Sequence, residues 1–304
     1  MEEDGTLFLP ADKVQHFEHE PRAESISYFQ DAWLRLKSNK LAMGGFYFLC
    51  VLITFAIFGP MLTEYTYYET HLHLKNTPPS AKFWFGTDEL GRDLFTRIWW
   101  GARISLFVGI TAAVIDVAIG IFYGAFAAMC GGKIEEIMMR FADILYSLPY
   151  LLIVILLMVV MGPGIFTIII AMTMTGWINM SRIVRAQILQ LKHTDFAIAA
   201  HAIGASRARV LIRHLIPNTI GTIITTMTLT IPAAIFTEAF LSFLGLGVQA
   251  PIASWGTMAN DGLSALRYYP WRLFFPATFI SFTMLAFNVV GDGIRDSFDP
   301  RLRK

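Results

Sequence analysis

Two carboxylates, Asp116 and Glu238, lie inside long runs of apolar residues. An ionisable group in such a run is costly unless it is paired or wetted, so each is a candidate for function. Asp116 is predicted either to face an aqueous path or to make a structural hydrogen bond to a Ser or Thr on a neighbouring helix. Glu238 has two corresponding interpretations, a structural role or contact with a ligand that carries an amine.

Other patterns that carry chemistry are missing from the sequence. The phosphate-binding pattern G-x-x-x-x-G-K-[ST] fails at Lys133, because Ala127 and Ile134 occupy its first glycine and its hydroxyl positions. The patterns H-E-x-x-H and G-x-S-x-G do not occur, and the seven histidines show no metal-ligand spacing. We therefore predict that the chain is not an enzyme and holds no ATP, metal or cofactor of its own.

Composition indicates a membrane protein. The chain has 304 residues, of which 55% are hydrophobic and 15% charged, whereas soluble domains carry about 25% charged residues. Several apolar runs approach the ~20 residues that a helix needs to cross a bilayer. The net charge of +1 excludes the basic field typical of nucleic-acid binding. The prediction is an all-α polytopic protein whose partners include the lipid bilayer and exclude nucleic acid.

Six apolar runs are predicted to span the membrane, namely 41–62, 105–130, 144–161, 165–180, 220–246 and 273–290. Between the third and fourth runs, Gly162, Pro163 and Gly164 predict a tight helical hairpin. Pro232 is predicted to kink the fifth span.

Basic residues set the predicted orientation, since positively charged loops stay in the cytoplasm. Of 24 Lys and Arg residues, all fall on the side of the N-terminus except these: Lys75, Lys82, Arg92, Arg97, Arg103, Arg267 and Arg272. Both termini are therefore predicted to be cytoplasmic.

The flanking segments complete the predicted organisation. Residues 1–40 form a cytoplasmic tail, disordered over 1–21, and residues 292–304 form a second one. Ile26, Phe29, Trp33 and Leu36 recur at helical spacing and predict an amphipathic helix on the inner membrane surface, or alternatively one packed on a partner.

The remaining segments are an external stretch, 63–104, and a core, 105–291, that contains the last five spans. In the external stretch, Asp88 is predicted to cap a surface helix and Arg92 to pair with acids.

The cytoplasmic connection 181–217 carries the most information about function. Asp195 can cap or charge the start of a short helix, and Gly204 can enter the left-handed region and turn the chain. Small residues keep that helix thin, namely Ala197, Ala199, Ala200 and Ala202. The pattern predicts a rigid helix-turn-helix elbow between the fourth and fifth spans.

The second helix of the elbow is predicted over 205–215. It displays three basic residues, Arg207, Arg209 and Arg213, which favour either docking of a partner or binding of anionic lipid. Pro217 suits the first turn of the fifth span.

This elbow resembles the cytoplasmic loop of membrane subunits of ATP-binding-cassette (ABC) importers. The loop pattern of that family is Glu-Ala-Ala, three residues, Gly, nine residues, then a hydrophobic stretch ending in Pro. It matches at Ala199, Ala200, Gly204 and Pro217, while the glutamate position holds Ile198. By resemblance, the helix around 195–203 is the coupling helix that contacts the ATPase.

Further segments are similar to the oligopeptide and dipeptide branch of that family, in particular to its second membrane subunits. These are FGTDELGRDLFTR, GARISL, DILYSLP, GWINMSRIVRAQ, FTEAFLSFLGLG, SWGTMANDG, YPWRLFFPA and NVVGDGIRDSFDPRLR. The resemblance extends from about Ile26 to the C-terminus and implies a type I ABC importer permease fold.

The same resemblance implies a function and a set of partners. The chain would import oligopeptides across a prokaryotic cell membrane together with a second homologous membrane subunit. Two cytoplasmic ATPases that bind ATP and Mg would drive it, and an external binding protein would deliver the peptide. Alternatives are import of dipeptides, nickel chelates or another small solute, or, from a different class, an ion-driven secondary transporter.

Overall fold

The computed structural model describes residues 28–298, with side chains from residue 30 onward. Every regular element in this range is a helix, apart from one isolated β-bridge between Thr87 and Asp93. The predicted all-α class is confirmed. The predicted disorder of 1–21, residue Ile26 and the end of the C-terminal tail lie outside the described residues.

The described elements follow one another as eleven α-helices. They are α1 Tyr28–Ser38, α2 Lys40–Phe58, α3 Leu94–Cys130, α4 Gly132–Ser147, α5 Tyr150–Met161, α6 Ile165–Leu191, α7 Asp195–Ala202, α8 Arg207–Val210, α9 Ile216–Phe243, α10 Trp255–Leu263 and α11 Trp271–Phe298. Short 3₁₀ turns cover Gly59–Met61 and Leu72–Leu74, and a π-helical segment, Leu211–Leu215, joins α8 to α9.

Five described segments are long and apolar enough to span a bilayer, namely Lys40–Met61, Leu94–Cys130, Ile165–Leu191, Arg207–Phe243 and Trp271–Phe298. The pair α4 and α5 adds a sixth if it crosses as one broken span. The predicted count of six therefore depends on this pair.

The third predicted span, 144–161, is not one helix. Helices α4 and α5 are bent by 81° at the break between Ser147 and Tyr150. Pro149 lacks an N–H donor and forces the preceding residue out of the helical region, and Leu148 accordingly has ψ 135°. Beyond the bend, the breaker cluster at 162–164 joins α5 to α6, which confirms the predicted helical hairpin.

The second span begins eleven residues earlier than the predicted start at 105. The Asp93 carboxylate caps α3 by accepting a hydrogen bond from the Thr96 N–H at 2.8 Å. The first turns of α3 are therefore helical although they contain two charged residues, Arg97 and Arg103. Their guanidinium groups donate hydrogen bonds to the backbone carbonyls of Tyr67 and Ala56, respectively. Helices α6 and α11 also continue beyond the predicted runs 165–180 and 273–290. Helix α9 begins before the predicted start at 220 and ends at Phe243, before the predicted end at 246.

Close packing of α3 against α6 organises the bundle. Gly120 and Gly124 lie one turn apart on α3 and are buried. A Cβ on Gly120 would overlap the Met180 side chain, and one on Gly124 would overlap the Ser181 carbonyl oxygen. Small residues four apart allow membrane helices to approach this closely.

Buried charges attach the external segment to the helical bundle. Asp88 accepts a hydrogen bond from the Arg92 Nε at 2.6 Å, so the predicted pairing of Arg92 with an acid is confirmed. Asp88 caps no helix, which corrects the prediction. Its carboxylate instead accepts the N–H groups of Leu90 and Arg92 in a turn, and the helix starts five residues later at the Asp93 cap. Burial raises the pKa of Asp93.

Arg272, from the start of α11, contacts three groups, two in the external segment and one in α10. It donates to the Asn76 Oδ1 at 3.3 Å, to the Glu89 carboxylate at 3.0 Å and to the Asp261 carbonyl oxygen at 3.0 Å. These contacts hold the external segment against α10 and α11.

Helix α1 occupies the predicted amphipathic segment. Ala32 and Leu36 are buried, and Leu36 lies beside Gly293 of α11. Trp33 and Leu34 stay exposed. An exposed apolar face next to the start of α2 suits the predicted position on the membrane surface.

The α3–α6 contact generates a stability prediction. Gly124→Ala should lower the thermal unfolding midpoint of the detergent-solubilised protein by several degrees, because relieving the overlap with the Ser181 carbonyl separates two helices at a cost of about 1–3 kcal/mol. Gly44→Ala is the matched control, since Gly44 is also helical and a Cβ there meets nothing within 4 Å. Equal midpoints for the two variants would contradict the assignment of this contact.

Candidate functional site

The predicted elbow follows the C-terminal end of α6. After a turn at 192–194, α7 begins at Asp195, which provides a negative charge in its first turn. The chain then turns at Gly204, whose φ is +89°. The N–H of Gly204 donates to the His201 carbonyl and that of Ala205 donates to the Ala200 carbonyl, each at 3.0 Å. This pair of bonds is a Schellman motif, which favours glycine at the left-handed position.

The elbow has one buried face and one exposed face. Ala197 and Ala200 are buried and pack in a cluster with Val184, Val210 and Leu211. The cluster lies between α6, α7 and α8. Because alanine side chains are short, the backbone of α7 lies close to its neighbours.

The exposed face of α7 is apolar. Ala199 is exposed, and three large apolar side chains are also exposed on this helix and its C-cap, with fractions of 41%, 55% and 88% for Phe196, Ile198 and Ile203. Arg207, Arg209 and Arg213 are exposed beside them, as predicted. We call this surface, formed by the apolar residues of α7 and the basic residues of the second elbow helix, the elbow face. Apolar groups surrounded by charge are typical of protein interaction sites.

A π-helical segment links the elbow to α9. The Ile216 N–H donates to the Leu211 carbonyl, five residues earlier. Pro217 follows in the first turn of α9, as predicted, and cannot donate a backbone hydrogen bond. The Asn218 Nδ2 donates to the His214 carbonyl at 2.6 Å and satisfies one of the carbonyls near this irregularity. The second elbow helix and the fifth span are therefore one continuous helical segment, Arg207–Phe243.

A cavity of about 440 Å³ opens at the middle of the membrane bundle. It lies between α3, α5, α6 and α9, and Asp116 of α3 lines it. The Asp116 side chain packs over Gly176 of α6, where a Cβ would overlap the carboxylate. Only 6% of Asp116 is exposed, and its buried Oδ1 has no hydrogen-bond partner. The structural bond to Ser or Thr, one of the two predicted alternatives, is not formed by this oxygen.

Glu238 does not line that cavity and lies near the C-terminal end of α9. Its carboxyl group is fully buried and accepts hydrogen bonds from the Ser105 hydroxyl at 2.8 Å and the Ser242 hydroxyl at 2.7 Å. Ser105 also accepts the backbone N–H of Trp255 at 3.3 Å. Glu238 thus connects α3, α9 and α10, which favours the structural interpretation over ligand contact.

The predicted site residues therefore fall into three groups. The elbow residues lie together after the C-terminal end of α6, Asp116 lies in the middle part of α3, and Glu238 lies near the C-terminal end of α9. One packed cluster joins the first two groups, because Val117, next to Asp116, belongs to the same buried set as Ala197 and Ala200.

Sequence reasoning missed two groups at the cavity. Tyr150, the first residue of α5, lines it with a buried hydroxyl that has no hydrogen-bond partner. Gly176 provides the space for the Asp116 carboxylate. The adjacent Pro149 could have indicated that a helix begins at Tyr150, but no sequence pattern relates either residue to Asp116.

The described residues contain no group of three or more His, Cys, Asp or Glu side chains arranged to hold a metal ion. Two acids of α4 instead form ion pairs with arginines of α6. Arg182 of α6 contacts Asp143 at 2.7 Å, and Arg185 contacts Glu135, which attaches α4 to α6.

Comparison with known proteins gives consistent results over most of the chain. Residues 120–304 match the family described as binding-protein-dependent transport system inner membrane component. Residues 27–79 match the N-terminal TM domain of oligopeptide transport permease C.

Three curated relatives cover nearly the whole chain. The oligopeptide transport system permease protein OppC of Bacillus subtilis is 60% identical over 281 residues, which are 92% of each protein. The dipeptide transport system permease protein DppC of the same organism is also 60% identical, over 92% of this chain and 88% of that protein. OppC of Escherichia coli K12 is 40% identical over 96% and 98% of the two chains.

A solved structure of the MetNI methionine ABC transporter in an inward-facing conformation shares the fold. It aligns with a TM-score of 0.56 and 16% identity over 66% of this chain and 94% of that one. At this identity the likeness concerns the fold alone. The predicted fold class is confirmed, and the chain belongs to the family of binding-protein-dependent transport system inner membrane components, in the branch of the oligopeptide and dipeptide permease C proteins.

Proposed function

We propose that this chain is a membrane-spanning subunit of an ATP-driven, binding-protein-dependent importer of oligopeptides in a bacterial cell membrane. The observation that carries the proposal is the elbow face, an exposed apolar and basic surface on a helix that is packed tightly into the membrane bundle. The 60% identity to the Bacillus subtilis oligopeptide permease protein supports the same conclusion.

The elbow face would receive a cytoplasmic ATPase. The site residues proposed for this coupling are Asp195, Ala199, Ala200, Gly204, Arg207, Arg209 and Pro217. Asp195, Ala199 and both arginines are exposed and can contact the partner, whereas Ala200 is buried and holds α7 against its own chain. Ile198 is exposed at the family's glutamate position, so contact at this point would be apolar and Asp195 would supply the adjacent negative charge.

ATP and Mg would bind to two such ATPases and close them against each other. Closure would displace α7, and the packed cluster shared by α3, α6 and α7 would transmit this displacement to the spans. The chain itself would switch between two arrangements, open inward and open outward, without forming a covalent bond.

The remaining partners complete the proposed complex. A second homologous membrane subunit would close the translocation path against this chain, and an external protein would deliver the peptide. Asp116 would lie on the path, and Glu238 would hold its outer wall. Both termini, and the elbow, would lie in the cytoplasm.

Import of dipeptides is a second candidate, favoured by the equal identity to the Bacillus subtilis dipeptide permease protein. Nothing in the path of the described chain sets a peptide length, since the second subunit would form the opposite wall. Peptide competition distinguishes the two substrates.

The proposed function first predicts ATP-dependent uptake. The complete complex, reconstituted in liposomes with its binding protein, should accumulate a labelled pentapeptide when ATP and Mg are supplied to the ATPase side and should not do so with ADP. Unlabelled dipeptides should compete poorly with the pentapeptide. Uptake by this chain without ATPase subunits, driven by an ion gradient, would instead support a secondary transporter.

The second prediction concerns the elbow face. Ala199→Arg should lower co-purification of the ATPase and ATP-driven uptake at least about tenfold, because a long cation on the apolar docking helix would be desolvated without a partner. Membrane insertion should be unchanged, since Ala199 is exposed and touches no buried cluster. Ala81→Arg is the matched control, an exposed alanine in the external segment. Normal ATPase binding by Ala199→Arg would exclude this surface as the docking site.

The third prediction tests orientation. In a background with Cys50→Ser and Cys130→Ser, a cysteine introduced by Ser80→Cys should react with a membrane-impermeant maleimide in intact cells. A cysteine introduced by Ser206→Cys should react only after permeabilisation, because the elbow would face the cytoplasm. Both serines are exposed, so accessibility in the folded chain does not distinguish them. The opposite labelling pattern would reverse the proposed topology.

A further inference from the structure

The mid-span cavity contains one charged group. Asp116 is the single acid among the described residues that line it, and none of the described lining residues is basic. Asp116 is therefore the group that can give this cavity negative charge, in a region where charge is poorly solvated. A carboxylate in such a position requires a partner.

The surrounding chain does not supply that partner. The Asp116 Oδ1 is buried and has no hydrogen bond, and the same holds for the hydroxyl oxygen of Tyr150, which lines the same cavity. This differs from Glu238, whose carboxyl group accepts two serine hydroxyls. Two unpartnered buried polar atoms at one cavity indicate a ligand that is absent from the isolated chain.

Three hydroxyl groups at the cavity are already occupied. Thr226, Thr230 and Thr237 of α9 each donate their hydroxyl to a carbonyl of their own helix, at 2.8 to 2.9 Å. They make the wall mildly polar, as do the side chains of Thr175 and Asn179 on α6. Asp116 and Tyr150 are the lining residues whose buried polar atoms have no partner. The cavity volume of about 440 Å³ is in the range of small-molecule sites.

We propose that Asp116, together with the Tyr150 hydroxyl, binds the ammonium group of a peptide as it passes through the membrane. This inference rests on the proposed function, because it assumes that peptide enters the cavity. Among the groups that every unmodified linear peptide carries, only the N-terminal ammonium complements a lone carboxylate. The peptide's own carboxylate would be repelled, so the cavity would orient the peptide by its N-terminus.

The geometry assigns different tasks to the two side chains and to Gly176. The Asp116 carboxylate would accept N–H donors from the ammonium and supply the opposite charge, while Tyr150 offers an oxygen that can accept a further donor. Gly176 leaves room for the carboxylate beside α6. Asp116 would thus be a residue that determines specificity for the transported molecule.

The test compares two forms of one peptide that lacks Lys, Arg and His. One form has a free N-terminus and the other is N-acetylated, and each is supplied at the concentration that gives equal occupancy of the binding protein. The wild-type complex in liposomes should import the free form at least about tenfold faster. Asp116→Asn should lower this ratio to near one, mainly by slowing the free form.

The matched control is Glu136→Gln, which removes the charge of an exposed carboxylate on α4 outside the cavity and should keep the wild-type ratio. An unchanged ratio in Asp116→Asn would overturn the proposal. Failure of the wild-type complex to import either form with ATP would contradict the proposed function instead, so the two failures are distinguishable.

A second measurement uses the wild-type complex and does not require Asp116→Asn to fold. An apolar carbodiimide activates buried carboxylates, and a nearby amine then displaces the urea and forms an amide. Mass spectrometry should find an amide between Asp116 and the N-terminus of the free peptide, and none with the acetylated peptide. An amide between Asp116 and a lysine of the second membrane subunit, formed equally without peptide, would identify that lysine as the natural partner and overturn the proposal.

Discussion

The close approach of α3 and α6 is the contact on which the rest of the structure depends. In a bilayer, apolar surface gains little by leaving lipid for protein, so helices associate through close van der Waals packing. Gly120 and Gly124 allow the backbone of α3 to reach Met180 and Ser181 of α6. The long helix α3 also contacts α2, α9 and α10. One glycine-lined contact thereby fixes the centre of the bundle.

Polar groups inside the bundle divide into those that are satisfied and those that are not. Glu238 has hydroxyl donors from two different helices, so it joins α3 to α9. The buried Oδ1 of Asp116 has no partner, although an unpaired carboxylate oxygen inside an apolar bundle is costly. The two carboxylates are chemically alike, and only their surroundings leave one hydrogen-bonded and the other with an unpaired oxygen. Polar groups left unpaired in an otherwise well-packed interior are characteristic of functional sites.

The elbow and the mid-span cavity belong to one packed unit. Ala197 and Ala200 of α7 share a cluster with Val117, the neighbour of Asp116, and with Val184 of α6. Packed interiors have low compressibility and transmit displacement. The turn at Gly204, closed by a Schellman motif, makes the elbow stiff where a flexible loop would absorb motion. A chain built in this way can link the elbow face to a site inside the helical bundle without a mobile connection between them.

The sequence by itself determined the membrane class, the hairpin between α5 and α6, and the elbow with its turn at Gly204. These features depend on the length of the apolar runs and on the positions of glycine and proline, whose effects extend over only a few residues. It also determined the family, through motifs in their order along the chain. It missed the break in the third span and misplaced the start of α3, where Pro149 and the Asp93 cap override the apolar pattern. Only the tertiary structure showed that the Glu238 carboxyl group has two hydroxyl donors while the Asp116 Oδ1 has no partner, and only it brought Tyr150 and Gly176 to the same cavity. Those relations join residues far apart in the chain, and the hydrogen-bond partner of a buried carboxylate depends on which helices pack against it.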